Sequence, residues 1–307
     1  MRVRIYAAML AAAVALPSVA GEAGVKVLPP PPQPNPVRRA PVTQAPVPPP
    51  EPPMPSDAEC AALPQVRPPF AFSPGEVLEF DLDALGMLAG KLRISVRPLE
   101  GGTLPIRVDA STNTLFSKIR KVTGGATAWL NPKTLRPVRY LEDATENGVR
   151  KMSAGQFRSG EHLVDMEWIY GPRSGKTTLR YGNDGLDVAG AIFLMRMLPW
   201  KVGARTCVDI FAIRRMWRLV GRVEAREHVS LPMGEFEAWH LSGVAIRTDD
   251  QRQRREVHLW LSDDARRLPL VAVGTIDLGA VRATLNAVTR PGEKPLRGED
   301  PKQRLKW

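Results

Sequence analysis

Apolar and polar residues alternate with a period of two along most of the chain. In VLEFDLD (77–83), Leu78, Phe80 and Leu82 alternate with acidic residues, and KLRISVR (91–97) alternates apolar with polar, mostly basic, residues. This pattern predicts β-strands with one buried and one solvated face. Further strands are predicted over 104–112, 125–130, 135–145, 149–158, 162–170, 176–182, 205–213, 216–228, 235–247, 254–262, 267–276 and 279–289.

Short turn signals separate these predicted strands. Ala84-Leu85-Gly86 can turn the first strand into the second, and Glu146-Asn147-Gly148 is another example. Consecutive strands joined by short turns favour antiparallel pairing. The sequence therefore predicts a mainly β domain, an antiparallel meander that forms a barrel-like or strongly curved sheet.

One segment breaks the period of two. DVAGAIFLMRMLPW (187–200) begins with Asp187, a suitable helix N-cap, and its apolar run ends at Pro199. A helix that is apolar on nearly every side needs to be buried. We therefore predict a short helix near 187–198, packed on the concave side of the sheet, and a weaker helix over 114–121.

The stretch HLWLSDDARRLPLVAV (258–273) contains a conspicuous acidic pair, Asp263 and Asp264. Two catalytic carboxylates need converging side chains, whereas adjacent residues in a strand or turn tend to diverge. Residues 262–266 are also rich in types that favour turns. The pair is thus predicted to lie at a hairpin tip rather than in an active site.

The ends of the chain have a different composition. Residues 1–20 have the layout of a secretory signal peptide, with basic Arg2 and Arg4 before an apolar run too short to span a bilayer. Residues 21–67 form a proline-rich spacer, 68–289 the β domain and 290–307 a charged tail. Export is therefore expected, with no transmembrane span after signal cleavage.

Four segments resemble one known family. FSPGEVLEFDLDALGMLAGKLRISV (72–96), the helical segment 187–196, PMGEFEAW (232–239) and the stretch from Leu259 to Pro269 occur in the expected order. Together they resemble the domain-of-unknown-function 3108 family over about residues 68–288. The resemblance implies an exported bacterial envelope protein with no known activity, cofactor or catalytic residues. The expected location is the periplasm, or another exported location, of a Gram-negative envelope. Gly190 departs from the family, which has Ser there.

Two cysteines, Cys60 and Cys207, are present in the whole chain. An even number of cysteines in an exported protein favours a disulfide over metal or thiol chemistry. We predict that a Cys60–Cys207 bond fastens the end of the spacer to the domain.

The chain is basic, with a formal net charge of +11. An exported basic protein does not normally meet nucleic acid, so lipid, glycolipid or another envelope protein is the expected partner. Arg214, Arg215, Arg218 and Arg222 are candidates for contact with anionic groups, the alternative being an ordinary solvated face.

No motif assigns catalytic or cofactor-binding residues. GPRSGKTT (171–178) has one residue too few for a phosphate-binding loop, and Ser174 lacks the spacing of a nucleophile elbow. His240 and His258 are predicted to lie directly opposite each other on neighbouring strands, but a metal would need a third ligand. Outward-facing histidines are the simpler interpretation.

These observations favour non-enzymatic binding of an apolar or amphipathic envelope component such as a lipid or glycolipid. A concave β surface with an internal apolar helix would supply the site. The alternatives are a structural or interaction partner in an envelope complex and, less favoured, an envelope hydrolase.

Overall fold

A computed structural model describes residues 52–212, 214–276 and 279–298. The predicted signal peptide and most of the proline-rich spacer lie outside these residues. The first half contains β1 (Val77–Ala84), β2 (Met87–Val96), β3 (Leu104–Thr112), β4 (Val122–Leu130), β5 (Pro137–Glu146), β6 (Val149–Arg158), β7 (Leu163–Tyr170) and β8 (Arg173–Arg180). The second half contains β9 (Gly185–Asp187), α1 (Val188–Met195), β10 (Arg205–Ala212), β11 (Arg215–Leu231), β12 (Gly234–Arg247), β13 (Arg254–Ser262), β14 (Pro269–Ile276), β15 (Gly279–Thr289) and β16 (Leu296–Arg297).

The strands form a single sheet made of two meanders. Strands β1 to β8 pair in sequence order, strands β10 to β15 do the same, and β15 pairs with β1 to join the two halves. The sheet ends at β8 and β9 and is not closed, and all its pairs are antiparallel except β9 with β10. Helix α1 contacts β3 and β4 as well as β9 and β10, because the sheet curves around it. The predicted fold class is confirmed.

The alternation of apolar and polar residues correctly predicts which face of β1 and β2 is buried. Leu78, Phe80 and Leu82 are buried, as are the alternate apolar residues of β2. Leu85 and Gly86 connect the strands with φ values of 55° and 74°, the left-handed conformation that a tight hairpin turn requires. The predicted hairpin is therefore confirmed.

Three short features differ from the predicted elements. β9 was not predicted, because three residues are too few to show a period. Helix α1 ends at Met195, and the weaker predicted helix is a single 3-10 turn, Phe116–Lys118. The described part of the charged tail, up to residue 298, includes β16, which pairs with β15.

Residues 56–66, here called the strap, pack against the domain. Cys60 is bonded to Cys207, which confirms the predicted disulfide, and Cys60, Leu63 and Val66 are buried. The Leu63 amide donates to Asp184 Oδ2 at 3.0 Å. The strap, which the sequence assigns to the spacer of residues 21–67, therefore contacts the β domain.

A buried ion pair holds α1 in position. Arg196, at the C-cap of α1, bonds Glu76 through Nη1–Oε1 at 2.6 Å, and both side chains are 0% exposed. The same guanidinium donates to the carbonyls of Arg266 and Arg267, at 2.9 and 3.0 Å. Arg290 also contacts Glu76, at 3.2 Å. Three distant segments thus meet at Arg196: the approach to β1, the end of α1 and the β13–β14 turn.

We predict that Glu76→Gln lowers the free energy of unfolding by about 3–5 kcal/mol, because it leaves a buried guanidinium without its counter-charge. The matched control is Glu79→Gln, which removes a half-exposed carboxylate 3.8 Å from Arg93 and should cost less than about 1 kcal/mol. Urea denaturation followed by circular dichroism measures both. Equal effects of the two substitutions would show that the buried pair does not anchor the helix.

Candidate functional site

An apolar groove lies between α1 and the sheet face formed by β10 to β14. Its cavity volume is about 150 Å³. Small apolar cavities in proteins remain dry and take up apolar molecules. Its lining is Val188, Ala191, Ile192, Met195, Thr206, Ile210, Ala212, Trp217, Leu219, Gly221, Leu241, Ser242, Gly243, Ala245, Val257, His258, Leu259, Ala272, Val273 and Gly274.

One face of α1 forms the first wall of the groove. Val188, Ala191, Ile192 and Met195 have the spacing i, i+3, i+4 and i+7, which places them on a single helix face. Val188 and Ile192 remain half-exposed, although other faces of the helix are buried in the core. The helix therefore presents an apolar face that the protein itself does not fully cover.

A row that is rich in glycine forms the opposite wall. The strand register aligns Gly221 with Gly243, Gly243 with Val257 and Val257 with Gly274. A Cβ on Gly221 would lie 2.6 Å from the Ser242 carbonyl oxygen, and one on Gly243 would lie 2.7 Å from that of Val220. Side chains are thus excluded at Gly221 and Gly243, and their absence leaves space above the sheet.

The groove contains few polar groups. None of its described lining residues is Lys, Arg, Asp or Glu, and His258 is the one titratable side chain among them. Thr206 and Trp217 are 8% and 1% exposed. Thr206 Oγ1 and Trp217 Nε1 are buried and have no hydrogen-bond partner among the described residues. The groove is therefore almost entirely apolar, and two polar atoms of its lining residues are buried without a hydrogen-bond partner among the described residues.

Asp187 fixes the start of the helical wall, as the sequence predicts. Its Oδ1 accepts a hydrogen bond from the Gly190 amide at 3.0 Å. Burial raises the pKa of Asp187 to about 6, although the capping amides oppose this shift. A Cβ at Gly190 would lie 3.1 Å from Asp187 Oδ2 and 3.2 Å from Leu130. This crowding explains why glycine suits position 190.

Buried polar residues near Asp187 were not identified from the sequence. Tyr140 donates to Glu142 Oε2 at 3.1 Å, and burial raises the pKa of Glu142 to about 7 while Tyr140, Lys151 and Arg214 act to lower it. The available signal was the alternation in β5, which places Tyr140, Glu142, Ala144 and Glu146 on its buried face. Polar residues at buried positions of a strand mark such a cluster.

His240 and His258 share a face, but the predicted direct pairing is wrong. The register pairs His240 with Trp260 and Ser242 with His258. The hairpin turn is centred on Asp250, one residue later than the predicted pairing requires. Each residue of β12 therefore pairs with a residue two positions later along β13. The imidazoles still meet diagonally, with Nε2 of His240 2.9 Å from Nδ1 of His258, and His240 stacks on Trp260.

Burial lowers the pKa of His240. Within residues 52–212, 214–276 and 279–298, no three His, Cys, Asp or Glu side chains are grouped so that they could hold a metal ion. The two histidines therefore form a half-buried pair on the sheet surface.

The four candidate arginines do not form one open basic surface. Arg218 is 5% exposed and binds Asp209 at 2.8 Å as well as Asp57 of the strap. Its predicted exposure is wrong, because the strap covers this face of β11. Arg214 lies over the Trp168 ring at 4.6 Å, Arg215 is 3.7 Å from Asp249, and Arg222 pairs with Glu224 at 2.8 Å.

Asp263 and Asp264 lie in the β13–β14 turn, as predicted. Asp263 accepts from Trp239 Nε1 at 2.7 Å and pairs with Arg226 at 2.7 Å. Asp264 accepts from the amides of Arg266 and Arg267, at 3.0 and 3.1 Å. Both carboxylates are thus engaged in shaping the turn.

The carbonyls of this turn contact Arg196, so the segment supports the fold from which the groove is built. In the described part of the chain, no helix has the length and hydrophobicity of a membrane span.

Comparisons with known proteins agree with this architecture. A family model described as "Protein of unknown function (DUF3108)" matches residues 79–286. No curated protein matches the chain. A beta-barrel-like protein of domain of unknown function DUF1849 from Brucella abortus superposes with a TM-score of 0.52 at 9% identity, covering 71% of this chain and 98% of that one.

Two other solved structures superpose less well. A Bacteroides fragilis protein with a YmcC-like fold has a TM-score of 0.30 at 7% identity, covering 74% of this chain and 100% of its own. A predicted lipoprotein from Parabacteroides distasonis has a TM-score of 0.31 at 8% identity, covering 72% of this chain and 98% of its own. Of the three structures, the Brucella protein alone supports the fold.

The raised pKa of Asp187 predicts a pH dependence of stability. Its folded-state pKa of about 6 exceeds the ordinary value of 3.8, so the folded state holds the proton more tightly than the unfolded state does. The contribution of Asp187 to stability is therefore greatest below pH 4, falls as the pH rises through 4–6 and then levels off. The contribution is about 2–3 kcal/mol, because one pKa unit corresponds to about 1.4 kcal/mol.

Asp187→Asn should keep the N-cap and remove this part of the slope. Urea unfolding at a series of pH values measures it. Asp143→Asn is the matched control, since Asp143 is a carboxylate on the exposed face of β5 whose pKa is lowered by Arg150. An unchanged slope in Asp187→Asn would refute the assignment.

Proposed function

Because the chain belongs to the DUF3108 family of proteins of unknown function, we propose its function from its own groove: it binds the acyl chain of an envelope lipid or glycolipid. One observation carries this proposal, the partly covered apolar face of α1 opposite a wall with three aligned glycines. An apolar ligand that covers this face would gain about 25 cal/mol for each Å² of apolar surface removed from water.

The size and chemistry of the groove support a single chain. Pockets that enclose a whole drug-sized ligand usually measure about 300–1,000 Å³, whereas this cavity measures about 150 Å³. Some of its lining residues, such as Ile192 and Leu259, are partly exposed. It therefore suits part of one chain, with the remainder of the ligand outside.

The proposed location follows from the sequence. The signal-peptide pattern of residues 1–20, which lies outside the described residues, favours export. The Cys60–Cys207 disulfide is compatible with an oxidising compartment such as the periplasm. In that compartment, membrane lipids and glycolipids are the abundant carriers of acyl chains. Binding without catalysis is the proposed role.

We predict that Val257→Trp weakens binding of an apolar probe. Val257 lies between two glycines in the wall of the groove, so an indole there would occupy the space of the ligand. Glu256→Trp is the matched control, because Glu256 is the preceding residue and its side chain is 69% exposed. Titration of the fluorescent probe N-phenylnaphthylamine should show at least a tenfold loss in affinity for Val257→Trp and no change for Glu256→Trp.

Native mass spectrometry of protein purified from its own host provides a second test. The wild-type protein should carry a lipid-sized adduct, and Val257→Trp should not. A clean apo mass for the wild-type protein, together with equal probe binding by both variants, would contradict the proposed function.

A further inference from the structure

We infer that the protein docks on anionic membrane surfaces through four exposed apolar side chains, Leu85, Leu88, Leu115 and Ile119, here called the tip. Leu85 and Leu88 belong to the β1–β2 hairpin, whereas Leu115 and Ile119 flank the 3-10 turn Phe116–Lys118. The inference goes beyond the proposed function, because docking through the tip requires no ligand in the groove.

The exposure of these side chains is the first observation. Nine large apolar side chains are exposed among the described residues, and four of them form the tip. Leu115 and Ile119 are 61% and 52% exposed, and Leu85 and Leu88 are 50% and 41% exposed. Scattered apolar residues on a surface need no explanation, whereas a group of them marks a site of interaction with a protein or a membrane.

Local contacts hold the two turns of the tip together. The Asn113 amide donates to the Ala89 carbonyl at 2.8 Å, and Asn113 Oδ1 accepts from the Phe116 amide at 2.8 Å. Phe116 is buried and packs in one cluster with Ala84 and Ala89. The 3-10 turn is therefore anchored to the hairpin through Phe116, and the packing does not use the exposed side chain of Leu115.

Positive charge beside the tip favours an anionic lipid surface as its partner. Lys118 and Lys121 are exposed, and neither has an ion-pair partner in the described part of the chain. The segments 84–90 and 113–121 contain no Asp or Glu. Insertion of apolar side chains together with nearby lysines supplies the two signals that stable binding to an anionic bilayer requires.

The other charged residues near the tip have partners within the protein. Asp83, which lies just before the hairpin turn, pairs in strand register with Arg282. Arg120 follows Ile119 but is buried, and its Nη2 lies 2.5 Å from Glu146 Oε1. The lysines beside the tip therefore give it a positive margin.

Strand register connects the tip with the groove. Gly274, in the wall of the groove, pairs with Val281, and Val281 pairs with Ala84, the last residue of β1. Two strand spacings, about 10 Å, separate Gly274 from Ala84, and Leu85 follows Ala84 directly. Docking through the tip would therefore bring a wall of the groove close to the membrane.

Co-sedimentation with lipid vesicles tests the docking. Protein purified from its own host is mixed with vesicles of phosphatidylglycerol and phosphatidylethanolamine, or of phosphatidylcholine alone. The wild-type protein should bind the anionic vesicles more tightly than the neutral ones, and high salt should weaken this binding. Leu115→Ser combined with Ile119→Ser should weaken it at least about tenfold, because two apolar side chains no longer enter the bilayer.

Leu99→Ser combined with Val202→Ser is the matched control for the apolar contact. Leu99 and Val202 are 61% and 59% exposed, but Leu99 follows β2 and Val202 precedes β10, at strand ends opposite to the tip. This variant should bind the anionic vesicles as the wild-type protein does. Far-ultraviolet circular dichroism should show the wild-type fold in both double variants.

A second pair of variants tests the charge. Lys118→Gln combined with Lys121→Gln should weaken binding to the anionic vesicles about tenfold and leave binding to phosphatidylcholine unchanged. Lys133→Gln combined with Lys201→Gln removes the same charge from two exposed lysines outside the tip and should have little effect.

The outcomes separate this inference from the proposed function. Equal losses in the tip variants and their controls would overturn the docking. A wild-type dimer that the Leu115→Ser, Ile119→Ser variant dissociates in analytical ultracentrifugation, without vesicle binding, would assign the tip to a second copy and also overturn it. Absence of vesicle binding by a wild-type protein that still binds N-phenylnaphthylamine would overturn the docking and leave acyl-chain binding intact. Tip-dependent vesicle binding, with equal probe binding by the wild-type protein and Val257→Trp, would support the docking and contradict the proposed groove ligand.

Discussion

The buried ion pair between Glu76 and Arg196 is the interaction on which the rest of the structure depends. Both side chains are 0% exposed, so neither charge is stabilised by water, and each needs the other. The guanidinium also binds the β13–β14 turn, and that turn is shaped by Asp264. Three of the four segments that resemble the family therefore meet at Arg196, and the fourth contributes Trp239, which donates to Asp263 of the same turn. These segments share a structural role, which is to hold the end of α1 in position.

The groove is a consequence of where this ion pair holds α1. An eight-residue helix is too short to be stable alone, so tertiary contacts must fix it. Asp187 holds its first turn and Arg196 its end. The helix is thereby held opposite the row containing Gly221, Gly243 and Gly274 instead of closing onto it. Neither wall forms a groove by itself, and the space between them follows from the two anchors.

The strap shows how the N-terminal segment becomes part of the domain. Cys60 bonds Cys207 on β10, and Asp57 joins the Arg218–Asp209 pair on the adjoining strands. Arg136 links the strap to the rest of the domain by contacting the Leu63 carbonyl and the Asp184 carboxylate. The strap covers Arg218 in this way. The four candidate arginines consequently have local partners and do not form one open basic surface.

The sequence by itself determined the strands of the two meanders, the position of the helix, the hairpin tip at Asp263 and the disulfide. Each of these depends on local alternation, capping, turn chemistry or a single available cysteine partner. The tertiary structure decided the pairing of His240, the burial of Arg218, the buried cluster around Glu142 and the groove itself. A shift of one residue in a turn centre changes the partners across a hairpin, and burial depends on which distant segment covers a face. The space between α1 and the sheet depends on strand pairing and on burial. Residues far apart in sequence, such as Val188 and Gly274, therefore line one groove only when the chain is folded.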